Sequence, residues 1–209
     1  MKLKSKKNIK TIILDLGGVI IPINPELSFK SFAQKSGWEL ETVKTFFKKN
    51  LIFKTYENGD ITTDEFLQLI SHHLVLSNDE IIDSWNKLLL EIPRSRIEFL
   101  SELRKNHQLL LISNTNELHI NAINQQLQQR ELPSLSQIFD KLYYSFEIKL
   151  SKPSKEIYEH VLKDLELKPD ETVFIDDLKE NVEGAEYAGI NGLHLNLSIH
   201  QLENLFDNE

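Results

Sequence analysis

Cysteine is missing altogether from this chain of 209 residues. Without thiols there is no disulfide framework and no cysteine-ligated zinc site, so stability must come from a packed core. Long apolar runs are missing too: none approaches the ~20 residues that a membrane-spanning helix needs. Positive charge is in the minority, with 24 Lys and Arg against 32 Asp and Glu and a net charge of -8. A chain so charged has no general affinity for nucleic acid or anionic membrane, and any anion it binds needs a local positive site. The segment Met1–Lys10 is basic but lacks the apolar stretch of a signal peptide. No low-complexity segment argues for disorder, and 40% hydrophobic residues suffice for a core. The expectation is a soluble, cytoplasmic protein, monomer or homodimer, with neither nucleic acid nor membrane as partner.

What the sequence does contain is an alternation of strand and helix patterns. Lys10–Asp15, Gln108–Ser113 and Glu171–Asp176 are continuous apolar runs, as in strands covered on both faces. Lys141–Ser145 and Gly192–Leu195 are shorter candidates. Between them, Arg94–Asn106 carries Ile97, Leu100 and Leu103 at helical spacing, and Lys155–Leu165 carries Ile157, Val161, Leu162 and Leu165. Lys179–Ala188 is a third helical stretch, closed by Gly189. This alternation predicts an α/β fold with a doubly wound parallel sheet. The polar segment Gln125–Ser136 reads as a helix end and a surface loop.

Residues 24–92 break the alternation. They hold no convincing strand but four or five amphipathic helices. Leu40, Val43, Phe46 and Phe47 mark one, and Phe66, Leu67, Ile70 and Leu74 another, capped by Thr62 or Thr63 with Glu65 nearby. Ile81, Ile82, Trp85, Leu88 and Leu89 mark a third, capped by Ser77 or Asn78. Periodicity assigns these aromatics to a core. The expected division is therefore an α/β core over 1–23 and 93–209 with a helical cap over 24–92, placed to act as a lid.

Four segments could carry chemistry, each at a strand end or helix start, where open α/β sheets place their sites. Asp15 ends the first strand, before Gly17 and Gly18. Ser113-Asn114-Thr115-Asn116 ends the second, and a hydroxyl and an amide there suit either a phosphoryl group or an ordinary helix cap. Lys152-Pro153 follows the third strand; the proline is expected to open a helix, with the lysine directed back to the strand ends or left on the surface. Asp176-Asp177 ends the fourth. Adjacent acids repel unless a cation compensates, and Mg²⁺, which takes oxygen ligands, is the simplest one. Asn181 is spaced to support the same loop. A nucleophilic carboxylate, a phosphate cradle, a cation and a metal site together make the kit for phosphoryl transfer through an aspartyl-phosphate.

In this order, with a helical insert after the first strand, the segments resemble the haloacid dehalogenase (HAD) superfamily, and the cap position resembles its subfamily I. Over Thr11–Leu195 the texture is most similar to bacterial α-D-glucose-1-phosphate phosphatases and their relatives. The pieces that carry this likeness are Asp15-Leu16-Gly17-Gly18-Val19-Ile20, Ser113-Asn114-Thr115-Asn116, Lys152-Pro153, Phe174-Ile175-Asp176-Asp177, Asn181-Val182-Glu183-Gly184-Ala185 and, in the cap, Glu57-Asn58-Gly59-Asp60-Ile61. The resemblance implies that Asp15 is the nucleophile and a Mg²⁺ ligand, joined by the Gly17 backbone carbonyl, Asp177 and Asp176. It implies that Ser113 and Asn114 hold phosphoryl oxygens, that Lys152 bridges Asp15 and phosphate, and that Asn181 backs the loop. The implied partner is a small phosphorylated metabolite, such as a sugar phosphate.

One position departs from that pattern. Most phosphatases of the superfamily carry a second Asp two residues after the nucleophile, as general acid and base, and here that residue is Gly17. Losing such help typically costs ~10²–10⁴ in rate. The same replacement occurs in the glucose-1-phosphate-phosphatase-like group. Asn24, Glu57, His72 and His73 are candidates for the role, and the sequence does not choose among them. Two readings follow: a Mg²⁺-dependent phosphatase, or a binding or regulatory protein that has kept the site with little turnover. A dehalogenase fits less well, because that chemistry needs no metal and leaves the Asp176-Asp177 pair uncompensated.

Overall fold

Successive residues of a strand point to opposite faces, and the apolar runs obey this on both sides of one sheet. Ile12 and Leu14 pack in one cluster with Leu109, Leu111, Val173 and Ile175, while Ile13 packs in another with Leu110, Ile112 and Phe174. The computed structural model describes residues 9–195. The basic segment before Ile9 and the part of the expected core beyond Leu195 lie outside the described residues. The sheet has five parallel strands, β1 (Thr11–Leu14), β2 (Gln108–Ser113), β3 (Lys141–Tyr144), β4 (Thr172–Asp176) and β5 (Asn191–His194), in the order β3-β2-β1-β4-β5.

That order places β1 at the centre and makes the chain cross from one half of the sheet to the other between β3 and β4. The switch point lies between β1 and β4, and in such sheets the crevice at the carboxyl ends of those strands is where ligands bind. Helices α6 (Arg94–Leu103), α7 (Glu117–Gln129) and the short α8 (Leu135–Ile138) cover one face through Ile97, Leu100, Ile123 and Leu127. The other face is covered by α10 (Lys155–Asp164) and α11 (Lys179–Tyr187), through Ile157, Tyr158, Val161 and Ala185. A single-turn helix, α9 (Ser145–Ile148), follows β3 directly.

Five helices stand between β1 and α6: α1 (Pro25–Ser36), α2 (Leu40–Lys49), α3 (Ile52–Glu57), α4 (Thr63–Leu74) and α5 (Asn78–Asn86). Their apolar faces meet in a cluster of their own, centred on the fully buried Trp85 and Phe66. Tyr56 stacks on Phe66 at 4.4 Å between centroids, and Phe53 stacks on Trp85 at 4.5 Å. The caps resolve to Thr62 and Ser77, each in a reciprocal capping box with Glu65 or Glu80.

Two local expectations are corrected. Leu88 and Leu89 are not part of α5, which ends at Asn86. The chain there runs antiparallel to the segment leaving β1: Asn24 N–H donates to Leu88 O at 2.8 Å, Leu90 N–H to Pro22 O at 3.0 Å, and Ile23 bridges Leu89. Pairing the two linkers satisfies backbone groups that a longer helix would have left on the outgoing segment. Pro153 does not open a helix either. The Ser154 N–H bonds Ser151 O at 3.1 Å, closing a turn, and α10 begins only at Lys155.

Because Trp85 fills the centre of the helical cluster, Trp85→Ala should destabilise the protein by about 3–5 kcal/mol, the usual cost of deleting a large buried aromatic. Chemical denaturation followed by far-UV circular dichroism measures it.

Candidate active site

The Asp15 N–H continues the β1–β4 ladder by donating to Ile175 O at 3.0 Å, which sets Asp15 beside Asp176 at the end of β4. Both carboxylates are buried, and the Lys152 ammonium lies between them. It donates to Asp15 Oδ1 and to Asp176 Oδ2, each at 2.6 Å. The lysine is aimed by its own backbone: Asn114 accepts the Lys152 N–H on Oδ1 and donates from Nδ2 to Lys152 O, both at 2.9 Å. The side-chain amide of Asn114 is thus committed to Lys152, so an anion at this residue would meet backbone, not the amide that the sequence reading put there. Ser113 lies at the wall of the adjacent cavity.

Asp176 is held on all sides. Its Oδ1 accepts from the Leu178 N–H at 2.8 Å, and Asn181 Nδ2 reaches both of its oxygens at 3.0–3.1 Å. Asn181 is fixed in turn, since its carbonyl accepts the buried Tyr158 hydroxyl at 2.6 Å. Asp177 approaches from the other side, over the turn that follows Asp15. Gly18 has φ +78°, and a Cβ there would lie 2.3 Å from Asp177 Oδ2; only glycine allows that approach. The same turn is anchored below by the buried Arg96, which donates to Val19 O and, at 3.4 Å, to Ile20 O.

Oxygens of Asp15, Asp176 and Asp177 lie within 4.8 Å of one another. Three carboxylates against one ammonium leave two negative charges at the switch point, a donor set of hard oxygens that fits a divalent cation such as Mg²⁺. Burial pushes the Asp15 carboxyl up, to about 6, against the pull of Lys152, and Asp176 adds to the rise. Asp177 is raised as well, by burial and by Asp176. Burial works against the charge on Lys152, but its two carboxylates outweigh it and hold the ammonium above the ordinary lysine range.

Beside this cluster is a cavity of about 190 Å³, with Ser113, Asn114, Thr115 and Gly17 at its polar end. Ile21, Ile23, Phe53, Leu88 and Leu89 make most of its remaining wall. Two titratable side chains border it, Glu57 at the end of α3 and His119 on α7. Burial, and then the charge of Asp15, raise the Glu57 carboxyl to about 7. His119 is buried, which lowers it to about 4 and leaves the imidazole neutral. It stacks on Trp85 at 5.3 Å, with Nδ1 accepting from Asn116 Nδ2 at 3.0 Å and Nε2 facing Trp85 O at 3.4 Å.

Of the four candidates for the role absent at Gly17, the structure brings Glu57 alone to the cavity. Asn24 is exposed and caps α1, accepting the Glu26 N–H at 3.2 Å. His72 and His73 are exposed in the last turn of α4. Of the segment quoted at the end of β2, Asn116 is the cap of α7, accepting the His119 N–H at 3.1 Å; sequence reasoning missed Ser145 and His119. Ser145 Oγ accepts the Thr115 N–H at 3.0 Å and donates to Glu57 O at 2.5 Å, joining the end of β2 to the end of α3. No local pattern marks such a serine, whose partners lie 30 and 88 residues away.

Comparison with known proteins agrees with this geometry. A family model described as haloacid dehalogenase-like hydrolase matches residues 9–189. The chain belongs to that family. Among its relatives, a D-ribitol-5-phosphate phosphatase of Bacteroides thetaiotaomicron is 29% identical over 177 residues, 83% of this chain and 85% of that protein. A sesquiterpene phosphatase of Aspergillus oryzae is 29% identical over 195 residues, 91% of each chain. Among solved HAD structures, an enzyme from Bacteroides thetaiotaomicron in complex with magnesium and inorganic phosphate superposes with a TM-score of 0.81 at 30% identity, covering 89% of this chain and 93% of that one. The parallel sheet with its surrounding helices is the α/β fold of HAD enzymes.

Two outcomes follow from the electrostatics. Asp15 and Glu57 are both raised on folding, so in their titration range the folded chain binds more protons than the unfolded one. Their contribution to stability should therefore grow as the pH falls through about 7 and about 6, and be complete below their ordinary values of 4.5 and 3.8. Denaturation midpoints of the metal-free protein against pH test this, with a shallower slope expected for Glu57→Gln. Gly18→Ala should cost about 1–2 kcal/mol for its left-handed backbone and should also weaken divalent-cation binding measured by calorimetry, because the new methyl displaces Asp177.

Proposed function

We propose that this hydrolase is a Mg²⁺-dependent phosphatase acting on a small phosphorylated metabolite of the sugar-phosphate class, through an aspartyl-phosphate on Asp15. The observation that carries the reading is the Lys152 ammonium held 2.6 Å from both Asp15 and Asp176 at the sheet's switch point. Asp15 is the nucleophile: one carboxylate oxygen attacks phosphorus while the other stays in the field of Lys152. That pairing keeps the carboxylate ionised against its burial and orients its free oxygen. Lys152 also offsets the charge that builds on the transferring phosphoryl oxygens, a form of electrostatic stabilisation strongest in a dry, preorganised site.

Ser113 Oγ and the backbone at Asn114–Thr115 supply neutral donors for the phosphoryl oxygens at the end of β2. Asp15, Asp177, Asp176 and the Gly17 carbonyl would hold Mg²⁺. Bound there, the ion neutralises phosphoryl charge and brings substrate and nucleophile together. Since the Asp176 oxygens already accept from Lys152, Asn181 and Leu178, its part is to orient the lysine and the loop, while Asp177 is the main acidic ligand. Residues 24–92 act as a cap that walls the cavity and screens it from water. The cavity is too small and too apolar for a nucleotide. The relatives' names, a D-ribitol-5-phosphate phosphatase and a sesquiterpene phosphatase, support hydrolysis of a small phosphorylated metabolite.

A second reading, a HAD protein that binds phosphate and metal with little turnover, draws on Gly17 alone. Phosphate release from a panel of sugar, polyol and nucleotide phosphates separates the two. Release should require Mg²⁺, stop with EDTA, and vanish in Asp15→Asn while the fold persists. Asp177→Ala should raise the Mg²⁺ concentration needed for half-maximal rate at least tenfold. Lys179→Ala, at an exposed residue paired among the described residues with Glu183, should leave it unchanged. No release from any member, with Mg²⁺ still bound, selects the second reading.

A further inference from the structure

Gly17 leaves an opening of definite shape. A Cβ built there would meet nothing closer than Ile23, at 3.5 Å, so the site tolerates a side chain and the glycine is not a steric requirement. Gly17 and Glu57 line the same cavity, one from the turn after β1 and the other from the end of α3. Resting on the phosphatase reading above, we propose that Glu57 is the catalytic acid and base of this enzyme, standing where it replaces the side chain that position 17 lacks.

The backbone of Glu57 is pinned to the sheet. Its carbonyl accepts from Ser145 Oγ, which also holds the Thr115 N–H at the phosphoryl end of the cavity. Two residues on, Gly59 packs so closely on α9 that a Cβ would lie 2.2 Å from Phe146 O. On its other side Tyr56 is buried, stacked on Phe66 and hydrogen-bonded through its hydroxyl to Thr63 at 2.8 Å. The position of Glu57 is therefore over-determined, while among the described residues its carboxyl has no hydrogen bond or ion pair. His119, the other titratable group at the cavity, has both ring nitrogens engaged and stays neutral. Among the described residues Glu57 is thus the titratable group at the cavity that is free to exchange a proton.

The proton balance is complete. As an Asp15 oxygen attacks phosphorus and the bond from phosphorus to the leaving oxygen breaks, the protonated Glu57 gives its proton to that oxygen and the alcohol departs. Glu57, now a carboxylate, takes a proton from the incoming water as the water oxygen attacks the phosphoryl group. The phosphorus–Asp15 bond breaks, phosphate leaves, and both carboxyl groups return to their starting states.

The test is the Glu57→Gln full-length enzyme with Mg²⁺ and two substrates: a pentitol phosphate, whose alcohol needs a proton to leave, and p-nitrophenyl phosphate, whose phenolate does not. Steady-state turnover should fall ~10²–10⁴-fold on both, the usual worth of a positioned acid or base. With p-nitrophenyl phosphate alone, a burst of one equivalent of nitrophenolate should precede the slow phase. Mass spectrometry should then find one phosphoryl group on Asp15, because formation survives and hydrolysis stalls. Glu57→Ala should give the same burst, with formate in the assay restoring part of the slow phase. Wild-type turnover in both variants, or an equal loss on both substrates without burst or phosphoenzyme, overturns the assignment. A wild-type enzyme that releases no phosphate overturns the phosphatase reading instead.

Discussion

The site is organised around one buried ammonium. Lys152 reaches two carboxylates at 2.6 Å each, and those carboxylates stand on adjacent strands whose side-by-side placement is itself a product of the chain crossing the sheet. Burying three ionised groups is costly, and the attraction among them compensates only when the geometry is good and the remaining lone pairs are satisfied. Here they are: Asn181 and the Leu178 N–H take up Asp176, and Asn114 fixes the lysine backbone on both its N–H and its carbonyl. Leaving one partner of such a group unpaired typically costs about 3–5 kcal/mol, so this arrangement is as much a folding constraint as a chemical device. One cation facing three acids leaves residual negative charge at the switch point, which favours a bound cation there.

Much of this was legible in the sequence, for a physical reason. A strand covered on both faces must be apolar throughout, so an acid at its end stands out; Asp15 and Asp176 announced themselves in that way. Gly18 beside Asp15 carried the turn, and the helical periodicity of residues 40–89 gave the insert. Illegible were the contacts that join distant segments. The amide of Asn114 could have faced an anion as well as a backbone, and only the fold shows that it clasps Lys152. Glu57 is one of four candidates for the role absent at Gly17, with nothing in the sequence to choose among them, and its place at the cavity depends on how α3 meets α9. The C-terminal end of α5 and the part played by Pro153 were misread because linker pairing and turn hydrogen bonds override local propensity.

The cavity shows how one scaffold divides labour between its two layers. Everything at the phosphoryl end comes from strand termini, which are rigid and set by the register of the sheet. Nearly everything at the far end comes from the insert and its two linkers: Phe53, Glu57, Ile23, Leu88 and Leu89. On the phosphatase reading, the strand termini would supply the chemistry and the insert the contacts to the rest of the substrate, a division that suits functions grafted on common folds.

The insert is less separable than that division suggests. Leu118 of α7 contributes its side chain to the insert's own apolar cluster, Trp85 donates its indole N–H to Asn116 at 3.2 Å, and His119 lies flat against the Trp85 ring. The residue at the centre of the helical layer is therefore also its rivet to the α/β layer. A core shared in this way couples the stability of α5 to that of α7, and an isolated helical layer would carry an unfilled hole where Leu118 and His119 belong.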